Sequence, residues 1–104
     1  GAACAYLEEH SGEPVSLDQL GEVAGLSKYY LLRSFTKQKG ISPYRYLETI
    51  RIAKARKLLE RNVPMIEVAL QTGFADQSHF SRFFKRLIGV TPRQYAEIFG
   101  GRQA

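Results

Sequence analysis

The apolar positions of the chain recur three or four residues apart, which is the spacing of one face of an α-helix. In the segment 28–39, Leu31 and Phe35 share a face, and in the segment 77–88, Phe80, Phe84 and Leu87 do the same. No stretch alternates apolar and polar residues for long enough to form a strand. The pattern predicts an all-α fold.

Capping residues, glycines and prolines divide this pattern into helices. Ser16 is followed three residues later by Gln19, which is the sequence of a capping box. Ser42 and Thr91 each precede a proline, which is favoured at the first position of a helix. Glycines after the segments 28–39 and 77–88 supply left-handed stops. The predicted helices cover about 2–10, 17–24, 28–39, 43–61, 64–72, 77–88 and 92–99.

One pattern of helix stop and restart occurs twice. The stretches GISPYRY (40–46) and GVTPRQY (89–95) both open with Gly, an aliphatic residue, a hydroxyl residue and Pro, and equivalent positions lie 49 residues apart. Upstream, Glu-Val-Ala at 22–24 matches 67–69 at an offset of 45, which predicts four extra residues in the second turn. Each copy is therefore predicted to be a helix, a turn and a second helix.

Charge and cysteine content narrow the class of protein. Fifteen Lys and Arg against ten Asp and Glu give a formal net charge of +5, which favours polyanionic partners such as nucleic acid. Cys4 is the only cysteine, so neither an internal disulfide nor a cysteine-rich zinc site can form, and this suits a reducing cytosol. No run approaches the roughly 20 apolar residues of a membrane helix. Because the chain opens on Gly1, we expect it to be a segment of a longer protein.

The outward faces of the helices 28–39 and 77–88 carry the candidate chemistry. Neither helix contains Asp or Glu, whereas a solvated helix face usually mixes acidic and basic residues. Arg33 and Arg82 occupy equivalent positions among hydroxyl and amide side chains. In the major groove of DNA, Arg recognises guanine, Gln recognises adenine, and Ser and Thr adapt to either. These Arg, hydroxyl and amide side chains favour a helix pair that recognises DNA bases over one with a purely structural role.

Other functions fit these residues less well. The chain shows no nucleophile beside a His, no carboxylate pair in a plausible cleft and no Gly-rich phosphate loop, so we expect neither an enzyme nor a bound cofactor or metal. RNA binding remains open for a basic helical module, although base-stacking sheets and glycine clamps are missing. The main alternative is a helical protein-interaction module, for which the outward faces would be apolar or of mixed charge.

The second copy, GFADQSHFSRFFKRLIGVTPRQY (73–95), resembles the signature of the AraC/XylS family of bacterial transcription regulators. The first copy, VAGLSKYYLLRSFTKQKGISPYRYL (23–47), is similar but looser. The resemblance runs from Tyr6 to Phe99 and implies a seven-helix domain with two helix-turn-helix units joined by a long central helix. It also implies sequence-specific binding of duplex DNA, with the two recognition helices reading adjacent major-groove segments, and an N-terminal sensing or dimerising domain in the parent regulator.

The domain boundaries that follow cover the whole chain, 1–104. The first helix-turn-helix unit spans about 16–40, the central helix about 43–61, the second unit about 64–89 and the C-terminal helix about 92–99. At about 1.5 Å per residue the central helix measures roughly 28 Å, against about 34 Å for one turn of DNA. A central helix of this length is on the scale needed to hold the two helix-turn-helix units about one turn of DNA apart.

The resemblance assigns roles by position. Base reading falls to Tyr29, Leu32, Arg33, Gln77, Ser78, Ser81 and Arg82. Leu32 replaces the polar residue often found at its position, so it would contact a thymine methyl or act as an inert spacer. We expect phosphate contacts from Lys28, Lys37, Lys85 and Arg86. The expected partners are double-stranded DNA and, through the parent regulator, RNA polymerase; we expect the isolated domain to be monomeric, cytoplasmic and without a membrane partner.

Three further residues are expected to be structural. Arg51 falls on the apolar side of the central helix, one turn after Glu48, so we expect it to pair with Glu48 or with helix-end carbonyls and not with DNA. His79 is interpreted as a packing or groove-edge residue. The phenylalanines at 80, 83 and 84 are interpreted as core, although Phe83 replaces Ser34 of the first copy, which leaves partial exposure of its ring as the alternative.

Overall fold

The structure is a computed structural model that describes residues 1–101, and these residues form seven α-helices and no strand. The all-α prediction is confirmed. The helices are α1 (Ala2–Glu9), α2 (Leu17–Ala24), α3 (Lys28–Lys39), α4 (Pro43–Glu60), α5 (Met65–Gln71), α6 (Gln77–Ile88) and α7 (Pro92–Phe99).

Some helix ends lie one residue inside the predicted ones. After α4, Asn62 adopts a φ of 61°, a left-handed conformation that Asn tolerates better than most residues and that a continuing helix does not allow. Pro64 then has a ψ of 143° and precedes α5 as its N-cap, so the helix begins at Met65. The ring of Pro64 fixes φ while its extended ψ keeps it outside the helix.

The chain divides into two compact units, Gly1–Ile50 and Arg51–Ala104, and each has its own core. The buried residues of the first core are Ala3, Leu7, Leu20, Leu31, Phe35 and Leu47. The buried residues of the second core are Ile52, Ala55, Leu59, Val68, Ala69, Phe74, Phe80, Phe83, Phe84 and Tyr95. Each helix-turn-helix copy therefore buries an apolar face of its own.

The predicted caps form as hydrogen bonds. The Gln19 N–H donates to the Ser16 hydroxyl at 3.1 Å, and the Ser16 N–H donates to the Gln19 side-chain oxygen at 2.8 Å. Thr91 and Gln94 repeat this capping box before α7, with distances of 3.1 and 2.9 Å. Both boxes satisfy N–H groups that the first turn of a helix would otherwise leave without a partner.

The repeated tyrosine closes each copy onto the following helix. Tyr46 meets Phe35 edge-on with ring centroids 5.5 Å apart, and Tyr95 meets Phe84 at the same distance. The Tyr46 hydroxyl donates to Glu8 at 3.3 Å, and the Tyr95 hydroxyl donates to Glu60 at 2.5 Å. The same stop and restart therefore recurs because each copy uses it to pack its second helix against the next one.

These tyrosine contacts also alter proton affinities. Burial, followed by the nearby Cys4 and Glu8 side chains, raises the pKa of Tyr46 above its ordinary value. In the second unit the Arg56 Nε donates to the Tyr95 hydroxyl at 3.2 Å, and this bond raises the pKa of Arg56. Both shifts favour the protonated form, in which Tyr46 donates to Glu8 and Arg56 donates to Tyr95.

The turn of the first unit follows a Schellman motif. Gly25 adopts a φ of 72°, and the Leu26 N–H donates to the Gly21 carbonyl at 2.8 Å. The Gly25 N–H donates to the backbone carbonyl of Glu22 at 3.3 Å. These bonds satisfy the last carbonyls of α2, and the next residue, Ser27, already caps α3. The chain thus passes from the end of α2 to the cap of α3 with only Gly25 and Leu26 between them.

The second unit repeats this turn with one residue more. Gly73 has a φ of 85°, and the Phe74 N–H donates to the Ala69 carbonyl at 3.1 Å. Ala75 then separates Phe74 from the cap Asp76. The equivalent turn glycines lie 48 residues apart, so the predicted upstream offset of 45 and the four extra turn residues are wrong. The Glu-Val-Ala match was coincidental, because the hydrogen bonds of the turn and not the local sequence define the equivalence.

Gly21→Ala tests how tightly the first turn is built. A Cβ at Gly21 would lie 2.6 Å from the Leu26 carbonyl oxygen, a backbone atom that cannot move without disturbing the cap at Ser27. We expect this clash to outweigh the gain in helix propensity and to lower the free energy of unfolding by about 1 kcal/mol. Urea denaturation measures the change. The exposed neighbour is the control, because Glu22→Ala should change stability by less than about 0.5 kcal/mol; a stabilised Gly21→Ala would contradict the argument.

One side chain of α6 differs from its predicted placement. Leu87, expected to face inward, is 39% exposed, because Ile88 packs against the second core in its place. Phe83 is buried, as its interpretation as core predicted, and its ring centroid lies 6.2 Å from that of Phe74. Three buried phenylalanines therefore fill the inward face of α6, and the last turn places Ile88 beside them.

The interpretation of Arg51 as structural agrees with its environment. Arg51 is only 6% exposed, and its guanidinium carbon lies 5.9 Å from the centroid of the Phe74 ring. A cation over an aromatic face gains electrostatic stabilisation when both groups are shielded from water. Arg51 therefore helps to hold the turn of the second unit from within the protein.

Candidate nucleic-acid interface

Helix α3 presents one buried and one exposed face. The Ser27 hydroxyl accepts the Tyr30 N–H at 3.3 Å and so caps the helix, while Leu31 and Phe35 anchor it in the first core. The predicted base-reading residues of this helix are all exposed, Tyr29 by 62% and Leu32 by 39%. The fold therefore brings Tyr29, Leu32 and Arg33 to the surface of a rigidly anchored helix.

Tyr29 and Arg33 are in contact, which the sequence reasoning missed. The Arg33 guanidinium carbon lies 5.7 Å from the centroid of the Tyr29 ring, and an Arg33 Nη1 donates to the Tyr29 hydroxyl at 3.4 Å. The Tyr30 ring meets the Tyr29 ring edge-on at 5.8 Å. The spacing of four residues between an aromatic and a basic residue on one helix was the available signal.

Leu32 borders an apolar groove as well as the outward face. This groove of about 350 Å³ lies in the first unit, and its walls include Leu17, Leu20, Leu32, Tyr44 and Leu47. Leu32 also borders a shallower depression together with Arg33 and Lys37. The Leu32 side chain is thus shared between an apolar recess and the basic face, which leaves both interpretations of its role open.

Helix α6 is built in the same way. The Asp76 carboxylate accepts the His79 N–H at 2.7 Å, and the buried phenylalanines hold the opposite face. Gln77, Ser78 and Arg82 are exposed, and Ser81 is half-buried. The four residues predicted to read bases in the second unit therefore lie on one capped, anchored helix, with Arg82 as the largest outward side chain.

His79 takes part in packing. It is half-buried, and its ring meets Phe74 edge-on at 5.5 Å and Phe83 at 6.5 Å. Its equivalent in the first unit, Tyr30, is 64% exposed. The packing interpretation of His79 therefore agrees with the structure, and the exposed aromatic pair on α3 has no counterpart on α6.

The basic side chains of both faces are free of acidic partners. Within residues 1–101, no carboxylate lies within 4.0 Å of the charged nitrogens of Arg33, Arg82 or the four predicted phosphate ligands. Those ligands, Lys28, Lys37, Lys85 and Arg86, are all exposed. Lys37, Lys85 and Arg86 also lie in the last turns of their helices, where a cation complements the helix dipole. Their charge is thus available to an external anion.

The charge is divided unequally between the units. Residues 1–50 carry five Lys and Arg against six Asp and Glu, whereas residues 51–104 carry ten against four. The positive net charge of the chain therefore belongs entirely to the second unit. A polyanion would be attracted mainly to that unit, because long-range attraction follows net charge.

Comparison with known proteins identifies the family. A family model described as a helix-turn-helix domain matches residues 20–98. A structure of a transcriptional regulator with an AraC-type DNA-binding domain, from Chromobacterium violaceum, superimposes with a TM-score of 0.88 over 98% of this chain and 92% of its own, at 27% sequence identity. The chain belongs to the AraC/XylS family of transcription regulators.

Two further proteins similar to this AraC-type domain bear on its function. The HTH-type transcriptional regulator YbfI of Bacillus subtilis is 63% identical over 76 residues, which cover 73% of this chain and 28% of YbfI. The chain therefore corresponds to less than a third of that relative. The DNA-binding domain of AdpA, solved in complex with a target DNA, superimposes with a TM-score of 0.88 at 28% identity, over 93% of this chain and 88% of that one.

The family consists of DNA-binding transcription regulators and not of enzymes. In the described part of the AraC-type domain, no group of three or more His, Cys, Asp or Glu side chains is arranged to hold a metal ion. None of the helices within residues 1–101 combines the length and apolar character that crossing a bilayer requires.

Proposed function

We propose that this AraC-type domain binds duplex DNA sequence-specifically, with α3 and α6 each placed in the major groove. The observation that carries the proposal is the pair of outward faces, on which Arg33 and Arg82 occupy equivalent positions and, within residues 1–101, have no acidic partner. A guanidinium on a rigid helix that is not paired with a carboxylate can donate two hydrogen bonds to guanine O6 and N7. Each arginine is thus the base-reading centre of its unit.

The remaining side chains of the two faces fall into two groups, one that contacts bases and one that contacts phosphates. Leu32, Gln77, Ser78 and Ser81 lie on the same faces as the two arginines and contact bases, Leu32 through a thymine methyl. Tyr29 lies on the same face as Arg33 and takes part in base reading through its contact with that arginine. Lys28, Lys37, Lys85 and Arg86 lie at the ends of the same helices and contact phosphates, which contribute affinity but no direct sequence information. The excess of positive charge in residues 51–104 makes the second unit the stronger phosphate anchor.

The parent regulator extends this function. We propose that it acts in the cytoplasm, joins this domain to an N-terminal sensing or dimerising domain, and contacts RNA polymerase when bound to DNA. The isolated domain is monomeric in this proposal, because each unit already buries its own core. Size-exclusion chromatography with light scattering distinguishes a monomer of 11.8 kDa from a dimer.

A protein-interaction module is the second candidate, and one observation favours it. The apolar groove of the first unit is bordered by Leu17, Leu32 and Tyr44, each more than a third exposed. Exposed apolar grooves are common at protein interfaces. A protein partner in this groove would bind through apolar contacts and so with little dependence on salt, whereas DNA binding through phosphates would depend on salt strongly.

Salt dependence therefore separates the two functions. For DNA binding, log K should fall linearly with log[salt] by about 0.9 for each phosphate neutralised. Lys85→Ala should make this slope shallower by about 0.9, because one phosphate contact is lost. Fluorescence anisotropy with a labelled duplex, measured between 50 and 200 mM salt, gives both slopes.

Lys57→Ala is the matched control for this measurement. Lys57 is equally exposed and equally charged, but it lies in the last turn of α4 and has no assigned DNA contact. Its removal should leave the slope unchanged. A binding constant that does not respond to salt would remove duplex DNA as the partner and favour the protein-interaction module.

A further inference from the structure

We propose that Tyr29 is a positioning residue, which holds the guanidinium of Arg33 in the orientation used for base recognition. This proposal rests on the proposed function of α3. The Arg33 guanidinium lies over the Tyr29 ring at 5.7 Å and donates to the Tyr29 hydroxyl at 3.4 Å. The Tyr29 ring also makes an edge-to-face contact with the Tyr30 ring, with ring centroids 5.8 Å apart, and this contact restrains the Tyr29 ring.

This arrangement leaves the recognition edge of Arg33 available. The bond to the Tyr29 hydroxyl uses one of the five N–H groups of the guanidinium, and bidentate bonds to guanine need only two of the remaining four. A free arginine loses rotamer freedom when it docks, and this loss weakens binding. An arginine already held by a ring loses less, so the Tyr29 contact increases affinity for the base that Arg33 recognises.

The second unit shows that the arrangement is particular to the first. Four residues before Arg82 lies Ser78, which has no ring on which a guanidinium could stack. The equivalent of Tyr30 is His79, whose ring packs against Phe74 and Phe83. The pair Ser78 and Arg82 is therefore a control at equivalent positions within the same chain.

A positioning role and a direct reading role predict different energetic coupling. A tyrosine that reads its own base contributes to binding whether or not Arg33 is present, and its removal affects a different base pair. A tyrosine that only positions Arg33 contributes nothing once Arg33 is removed. Its loss affects the base pair that Arg33 recognises, and no other.

A double-mutant cycle tests this difference. The probe is the duplex that the unaltered chain selects from a random library, together with its single-base variants and random DNA. Tyr29→Ala should weaken binding to the selected duplex about 3- to 10-fold, and Tyr29→Phe, which retains the ring, about 2-fold. With Arg33→Ala already in place, Tyr29→Ala should weaken binding by less than about 2-fold. For Ser78→Ala and Arg82→Ala the two effects should multiply.

The outcomes separate this proposal from the function on which it rests. If the effects of Tyr29→Ala and Arg33→Ala multiply, Tyr29 reads a base itself and the positioning role is wrong. If Tyr29→Ala changes nothing while Arg33→Ala still relaxes one base pair, the positioning role fails and base reading by Arg33 stands. If Arg33→Ala relaxes no base pair, both fail. Tyr29 is 62% exposed, so its variants should fold, and equal thermal midpoints would verify this.

Discussion

Phe84→Ala should lower the free energy of unfolding by about 3–5 kcal/mol, the largest effect we expect from a single substitution in this domain. The Phe84 side chain is fully buried, with its ring centroid 5.7 Å from that of Phe80 and 5.5 Å from that of Tyr95. Its removal leaves a cavity between α6 and α7 that the neighbouring rings cannot fill without losing their edge-to-face contacts. Chemical denaturation of the variant measures the loss.

Leu87→Ala is the control for this prediction, because it shortens an apolar side chain of the same helix. Leu87 is 39% exposed, so its truncation should cost less than about 1 kcal/mol. The original inward assignment of Leu87 would instead require a cost of about 2–5 kcal/mol, typical of a buried leucine. Equal losses from Phe84→Ala and Leu87→Ala would therefore contradict the burial pattern of α6.

The helices and their caps could be predicted from the sequence because both depend on local interactions. Ser16, Asp76 and Thr91 cap helices through bonds that span three residues, so their sequence patterns are sufficient evidence. The equivalence of the two turns could not be predicted in this way. It is defined by backbone bonds such as that from Phe74 to Ala69, which any residue can make and which leave no side-chain signature.

The buried face of each helix could be predicted to within one position, and the error at Leu87 arises where two adjacent residues compete for the inward position. Leu87 and Ile88 are adjacent apolar residues at the end of α6, and helical periodicity does not decide which one faces inward. Phe83 was correctly interpreted as core, but comparison with Ser34 left partial exposure open until the contact with Phe74 was known. In both cases the tertiary partner determines the placement.

The sequence predicted which side chains lie on the outward faces of α3 and α6, but not the contacts between them. Sequence positions identified Arg33 and Arg82 as equivalent, and the structure exposes both. The sequence did not indicate that the Arg33 guanidinium contacts the ring and hydroxyl of Tyr29, while within residues 1–101 no aromatic ring makes such a contact with Arg82. Arg33 and Arg82 therefore occupy equivalent positions but differ in whether a neighbouring side chain holds the guanidinium before DNA binds. Substituting each arginine separately can show what that difference contributes to binding.

Arg82→Ala should weaken binding to the selected duplex by about 1–3 kcal/mol and relax the preference at one base pair. Arg82 is exposed on a helix that is capped by Asp76 and anchored by three buried phenylalanines, so its substitution removes a contact without disturbing the fold. Binding to random DNA should change less, because only the contact to the correct base is lost. Titration against the selected duplex, its single-base variants and random DNA measures these effects.

Arg86→Ala provides the matched control, since it removes the same side chain from the same helix at a position assigned to phosphate. It should weaken all sequences about equally and reduce the salt slope by about 0.9. Arg33→Ala should relax a different base pair, about 10 base pairs from the first if the two units read successive turns of the duplex. If Arg82→Ala instead weakens every sequence equally, Arg82 is a phosphate anchor. If Arg33→Ala and Arg82→Ala relax the same base pair, the two units do not read separate segments of DNA.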